Sequence, residues 1–332
     1  MKKRKGGIRM SKKLILGFIL LPLISGCSVN PDGSEYEKVA ITHHVMIDNE
    51  VRAITEEFRV NPEWVAFFNL GALDILDYVG FNETGIKGIG MPTASTVTPE
   101  LEKYRSSATN VGTLHIPDPN ALDLFMPDLI ILDGRSRAYY SELKTAYPMT
   151  DILDITNSSY NLELQRESIA TLAKLFPQLE SKFDNALNEI ETRLDAIKDV
   201  SQEYEAVFLM SNEKSLSIYG KNGRYGSLYK EFGFKEAVVI AEEPTHGQSI
   251  EVDYLVDVQP EVIFVMDRTI AAGGESGLDD LLSGPVFSAL NAVKNNLVFE
   301  LEAKAWYLVT GGISSTLQMI KDVEVFVNQV TT

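Results

Sequence analysis

The chain has 332 residues, 45% of them hydrophobic and 23% charged, and a formal net charge of −17. That acidic balance excludes a nucleic-acid binder, which needs a basic footprint, and adsorption to anionic lipid by charge alone. The single cysteine, Cys27, rules out an intramolecular disulfide and any cysteine-based metal site, so the fold must rest on an apolar core.

The first residues carry an address. Lys2, Lys3, Arg4, Lys5, Arg9, Lys12 and Lys13 are uninterrupted by any acid, and Leu14 to Ile24 is apolar apart from Gly17 and Pro22. A basic region, a short apolar core and small residues before a cleavage point make a secretory signal. The apolar run rises only about 16 Å as a helix, too short for a bilayer core of about 30 Å. Ser25-Gly26-Cys27 resembles the bacterial lipobox, which implies acylation of Cys27 as the mature N-terminus. Residues 1–26 are therefore expected to be removed, with Met10 an alternative start. The remaining 306 residues hold 23 basic and 47 acidic groups, a net −24. Residues 27–38, polar with Pro31 and Gly33, read as a tether between lipid and fold.

Beyond the tether, short apolar runs alternate with helical patterns. Trp64 to Leu70, Asp128 to Asp133 and Met149 to Ile155 read as strands, with a helix over 72–79 and a short one ending before Pro127. Such runs between helices predict parallel strands covered on both faces. Gly85-Ile-Lys-Gly88-Ile-Gly90 lacks the dinucleotide fingerprint and fits a turn. Leu162 to Val200 has no glycine and keeps helical apolar spacing, so it reads as a long helical connector broken near Pro177. Strands over 206–211 and 262–266 then alternate with helices over 225–232, 253–258, 278–290 and 313–327. The expected layout is an N-terminal α/β lobe (39–160), a connecting helix (161–200) and a C-terminal α/β lobe (201–332), a layout suited to a ligand cleft between lobes.

No Gly-x-Ser-x-Gly, His-Glu-x-x-His or Walker motif is present, and no nucleophile–base set points to an enzyme. A zinc reading would need several of His43, His44, His115 and His246 to converge. His43 and His44 are adjacent in a β-like segment and point to opposite faces as partly exposed residues, while His115 precedes Pro117 in a loop. His246 lies in Pro244-Thr245-His246-Gly247-Gln248-Ser249, which reads as a surface loop or a ligand-facing turn. Arg135, Arg224 and Arg268 sit at strand ends or beside glycines. In open α/β sheets ligands bind beyond the carboxyl ends of strands, where arginines converge on an anion. Tyr307, in Ala305-Trp306-Tyr307-Leu308 before Thr310-Gly311-Gly312, stands either in the core or with its phenol toward a ligand.

These blocks, in this order, resemble the helical-backbone substrate-binding lipoproteins of bacterial iron–siderophore ABC importers, in particular the ferric-catecholate binders of the enterobactin and petrobactin type. The matching blocks are residues 69–74, 127–135, 219–226, 245–249, 262–268 and 306–311, and the likeness extends from about Pro62 to the end. It implies the class III periplasmic binding protein fold, with two Rossmann-like lobes of parallel strands on a long helical backbone. It implies no intrinsic cofactor, a monomer, and a ferric siderophore as ligand. Arg135, Arg224 and Arg268 would meet the catecholate oxygens. His246 and Tyr307 would ligate iron(III) when a tetradentate siderophore leaves two positions open, chemistry that suits a hard metal ion. It further implies an ABC permease with its ATPase as partner, contacted by one acid on each lobe. Asp253 fits the C-terminal one; the N-terminal equivalent is Asn120, with Asp118 or Asp123 as substitutes. Haem, cobalamin or hydroxamate ligands and zinc capture are the alternatives.

Overall fold

The computed structural model describes residues 36–332 apart from Ala94, Ser158, Lys214 and Thr245. The expected signal segment, Cys27 and most of the tether lie outside the described residues.

Asp48 and Asn49 both take positive φ, 53° and 63°. Two such residues form the tight turn whose twist matches a hairpin, and they join β1 (Lys38–Ile47) to β2 (Glu50–Arg59) with Ile47 opposite Glu50. Sequence reading did not anticipate this two-stranded sheet. Its inward residues, Ile41, His43, Val45 and Phe58, are buried. His43 is thus only 3% exposed rather than the partly exposed strand residue expected, while His44 faces out.

The first large sheet has strands β3 (Trp64–Phe67), β4 (Gly88–Met91), β5 (Thr109–Asn110), β6 (Leu129–Leu132) and β7 (Asp151–Asp154), in the order β5-β4-β3-β6-β7 and all parallel. The Gly88–Gly90 segment is therefore strand, not turn. Its glycine lets the Trp64 ring lie over Gly88, where a Cβ would overlap the indole. Asn69 stops β3 by capping α1 (Leu70–Gly80), its Oδ1 accepting from the Ala72 N–H at 3.0 Å. Helices α2 (Glu102–Arg105), α3 (Pro119–Phe125) and α4 (Tyr140–Ala146) complete the crossovers.

The connector forms α5 (Leu162–Leu175), a 3₁₀ turn over Pro177–Leu179 and α6 (Glu180–Ser201). Proline lacks the N–H that a continuous helix would need there.

The second large sheet contains β8 (Glu205–Asn212), β9 (Ser215–Tyr219), β10 (Lys235–Glu236), β11 (Gln248–Ile250), β12 (Val262–Asp267) and β13 (Val298–Glu300). β8, β10, β12 and β13 run parallel, but β9 runs antiparallel to both its neighbours, β8 and β11, so this sheet is mixed where an all-parallel one was expected. Around it lie α7 (Ser227–Lys230), α8 (Tyr254–Val258), α9 (Arg268–Ala271), α10 (Leu278–Leu282), α11 (Pro285–Ser288), α12 (Asn291–Lys294), α13 (Ala303–Tyr307) and α14 (Ile313–Thr331). The helix expected over 278–290 is interrupted at Ser283-Gly284, before Pro285, and that expected over 225–232 shortens to the single turn α7.

One large apolar cluster runs from α1 through α5, α6 and α14 to the inner faces of both sheets, with Phe67, Phe183, Phe208, Phe264 and Phe326 at most 1% exposed. Burial of a Phe side chain contributes roughly 1.5–3 kcal/mol. The chain is an α/β protein of two sheets carried on a helical spine, the class III binding-protein architecture.

Candidate functional site

In the first sheet the chain reverses its direction of winding between β3 and β6, and ligands in such folds sit beyond the carboxyl ends of the strands at that point. Arg135 follows β6 there. Arg268 follows β12 directly, as the first residue of α9. Arg224 comes from the loop after the antiparallel β9, Tyr219-Gly220-Lys221-Asn222-Gly223. A Cβ on Gly226 would overlap the Lys221 carbonyl, so this glycine is needed for the tight turn after Arg224, while a Cβ on Gly223 would displace the Glu243 carboxylate.

The three arginines converge on one residue. Arg135 Nη2 and Arg224 Nη2 both donate to the Tyr307 carbonyl, at 3.2 and 2.7 Å. Arg268 Nε donates to the Tyr307 hydroxyl at 3.0 Å, and its Nη1 to Asn212 Oδ1 at 2.9 Å. The Arg224 and Arg268 guanidinium carbons lie 4.5 and 5.4 Å from the Tyr307 ring centre, within cation–π range. Tyr307 is held out of the core because its neighbour fills that place. Trp306 is 3% exposed, packs against Phe208 and Phe232, and donates from Nε1 to Asp322 Oδ2 at 2.9 Å. Of the Trp-Tyr pair, the tryptophan is core and the tyrosine is half-buried at the site.

Burial by itself pushes the Tyr307 phenol up. The Arg268 hydrogen bond and the charges of Arg268, Arg224 and Arg135 outweigh it and hold the pKa below the usual tyrosine value. The site therefore eases loss of the phenolic proton relative to a free tyrosine.

Beside this group lies a cavity of about 520 Å³, lined by Arg135, Arg224, Asp133, Glu243, Asn157 and His246 among others. His246 is exposed, on the turn before β11, and Gly247 after it has a φ of 74°. It shares the cavity wall with Arg135 and Arg224, but no hydrogen bond joins it to Tyr307 among the described residues. Four of the five expected residues thus meet directly, and the fifth lines the adjoining cavity.

Sequence reading missed Asp133 and Glu243, the cavity's acids. Asp133 was visible beside Gly134-Arg135 at the end of a buried strand. Nothing local marked Glu243.

The remaining candidates lie elsewhere. His43 is occupied structurally: its Nδ1 accepts from the Asp154 N–H at 3.1 Å, so its Nε2 carries the proton shared with Glu56 Oε2 at 3.2 Å. Burial pushes its pKa down despite Glu56. His115 is an exposed loop residue. No group of three or more His, Cys, Asp or Glu among the described residues is placed to hold a metal ion. Asp253 is exposed at the start of α8. Asp118 caps α3, accepting from the Asn120 and Ala121 N–H groups at 3.0 and 3.4 Å, whereas Asn120 and Asp123 are exposed.

Comparison with known proteins agrees with this architecture. The chain is 31% identical over 323 residues to the petrobactin-binding protein YclQ of Bacillus subtilis (strain 168), covering 94% of this chain and 98% of that protein. It is 24% identical over 269 residues to the ferric-anguibactin-binding protein FatB of Vibrio anguillarum (strain ATCC 68554 / 775), covering 79% and 81%. The crystal structure of the Bacillus subtilis petrobactin-binding protein YclQ superposes with a TM-score of 0.75 at 27% identity, over 87% of this chain and 98% of that one. A family model described as periplasmic binding protein matches residues 65–305, and with that match spanning both sheets and the spine between them, the chain belongs to the periplasmic binding protein family.

Proposed function

We propose that this protein captures a ferric catecholate siderophore in the cleft beside Tyr307 and hands it to an ABC permease for iron uptake. The observation that carries the reading is the convergence of Arg135, Arg224 and Arg268 on Tyr307. Three permanent charges gathered on one residue beside a cavity, in a strongly acidic protein, favour an anionic partner. The relatives named for binding petrobactin and ferric anguibactin support a ferric siderophore as the ligand. The protein turns nothing over: its arginines bind and orient, and the iron is cargo.

In this reading the catecholate oxygens take the arginine donors now directed at the Tyr307 carbonyl and hydroxyl. When the siderophore leaves iron(III) coordinatively open, the Tyr307 phenolate and His246 supply the missing ligands. His246 stands on an exposed turn, so its approach to the metal requires the turn before β11 to move inward.

Export and anchoring complete the proposal. The signal segment 1–26 is removed, Cys27 carries lipid, and a tether over 27–38 holds a monomer at the outer face of the cell membrane. The working division is a lobe over 39–160, a connector over 161–200 and a lobe over 201–332. Asp253 contacts the permease on one lobe. On the other, Asp123 is the better acid, because the Asp118 carboxylate is engaged as a helix cap.

The test is a fluorescence titration with ferric bis-catecholate, tris-catecholate and hydroxamate complexes. Saturable one-to-one binding of the catecholates with weak hydroxamate binding is expected, since a hydroxamate complex carries little negative charge. Preference for the hydroxamate would overturn the reading.

A further inference from the structure

Two acids stand in the cavity wall among the arginines, and the function proposed above leaves them without a part. Asp133 Oδ2 lies 2.8 Å from Arg135 Nη1, the two side chains 15% and 21% exposed. Glu243 lines the same wall near Gly223 and Arg224. Its Oε1 accepts from the Gly220 N–H at 2.8 Å, while its Oε2 is buried without a hydrogen-bond partner. Burial raises its pKa, and Glu236 adds to this, against the amides of Gly220, Gly223 and Asn222. An anion entering here meets the guanidinium groups of Arg135 and Arg224 and two carboxyl groups.

We propose that Asp133 and Glu243 set the charge selectivity of the cleft, biasing it toward ferric complexes of low negative charge. The inference rests on the ferric-catecholate reading. Iron(III) held by two catecholates carries about one negative charge and by three about three, and a fixed carboxylate repels the second complex about three times as strongly. The arginines alone would favour the more anionic complex; the acids offset that preference. Asp133 acts most directly, because it partly neutralises Arg135, whereas Glu243, ion-paired with none of the arginines among the described residues, acts through its field in the cavity. A role limited to holding Arg135 or the Gly220–Gly223 loop in place would alter all ligands alike, which separates the two explanations.

The experiment compares the wild-type protein with Asp133→Asn and Glu243→Gln, both of which keep an acceptor oxygen for the present hydrogen bonds. Each is titrated at low ionic strength with the ferric complexes of a tetradentate bis-catecholamide and a hexadentate tris-catecholamide. The expected result is a rise of about tenfold in the tris-to-bis affinity ratio for Asp133→Asn, with a smaller rise for Glu243→Gln. Loss of affinity for both ligands with the ratio unchanged in both variants would overturn the charge-selectivity role while leaving the function intact. Failure of the wild type to bind either complex would overturn the function, and this inference with it.

Discussion

Tyr307 gathers three arginines through two different atoms, its carbonyl and its hydroxyl. The carbonyl contacts fix the guanidinium groups in place, and the hydroxyl contact eases loss of the phenolic proton. If the proposed ligation holds, binding of an open-coordinate ferric complex to the phenolate would release that proton, so affinity should rise with pH until Tyr307 is ionised, at a lower pH than a free tyrosine. Titration of a tetradentate ferric bis-catecholate across pH should show this slope in the wild type and none in Tyr307→Phe, with the visible iron–phenolate band lost in the variant. The arginines were legible in the sequence because each follows a strand end or a glycine turn. His43 was misread because strand alternation tells which face a residue takes, not how deeply that face is covered. Its depth comes from Glu56 and Asp154, which are distant in sequence.

Helix α1 shows how an element positions the site. Gly71 packs where a Cβ would stand 2.6 Å from the Thr310 carbonyl, in the segment just after Tyr307. An Ala in place of a helical Gly normally stabilises by about 1 kcal/mol; here the clash reverses the sign. Gly71→Ala should lower stability by about 1–3 kcal/mol and weaken ligand binding, measurable by denaturant unfolding and titration. The same helix presents Asp74, fully buried, whose Oδ2 accepts from the Ser315 N–H and hydroxyl, both at 3.1 Å, at the start of α14. Burial raises its pKa from 3.8 to about 6, overcoming the bonds from Ser315 and Ser314, with Glu100 adding to the rise. The folded state therefore holds this proton more tightly than the unfolded chain. The group's contribution is fully favourable below about pH 3.8 and is lost as pH climbs through about 6. Relative to wild type, Asp74→Asn should gain about 2 kcal/mol between pH 4 and pH 7, and a pH-independent difference in unfolding free energy would contradict this. The buried strands were legible as continuous apolar runs. The β1–β2 hairpin was not, because β2 is largely exposed and Glu-Val-Arg-Ala-Ile-Thr-Glu-Glu lacks an apolar alternation. The Asp48-Asn49 pair was the one local signal.

At the scale of the whole molecule, the chain carries −17 overall while its cleft concentrates positive charge. In the proposed reading the long-range field repels an anionic siderophore and the local field of the arginines holds it. Salt screens the first more completely than the second, because the cleft pair distances are well below the Debye length of about 8–10 Å. Stopped-flow association should therefore quicken as ionic strength rises from low values, the opposite of steered binding; slowing would show that the cleft field dominates at a distance. The two-sheet architecture on a helical spine was readable from the order of strands and helices. The antiparallel β9 was not, since short strands of either direction share one pattern. The central claim is that Arg135, Arg224 and Arg268 together hold the ligand, and calorimetric titration of a ferric catecholate into the three single alanine variants tests it most directly. A hydrogen bond to a charged group contributes roughly 1.5–3 kcal/mol, so each variant should bind about 10- to 100-fold more weakly than wild type; wild-type affinity in all three would contradict the account.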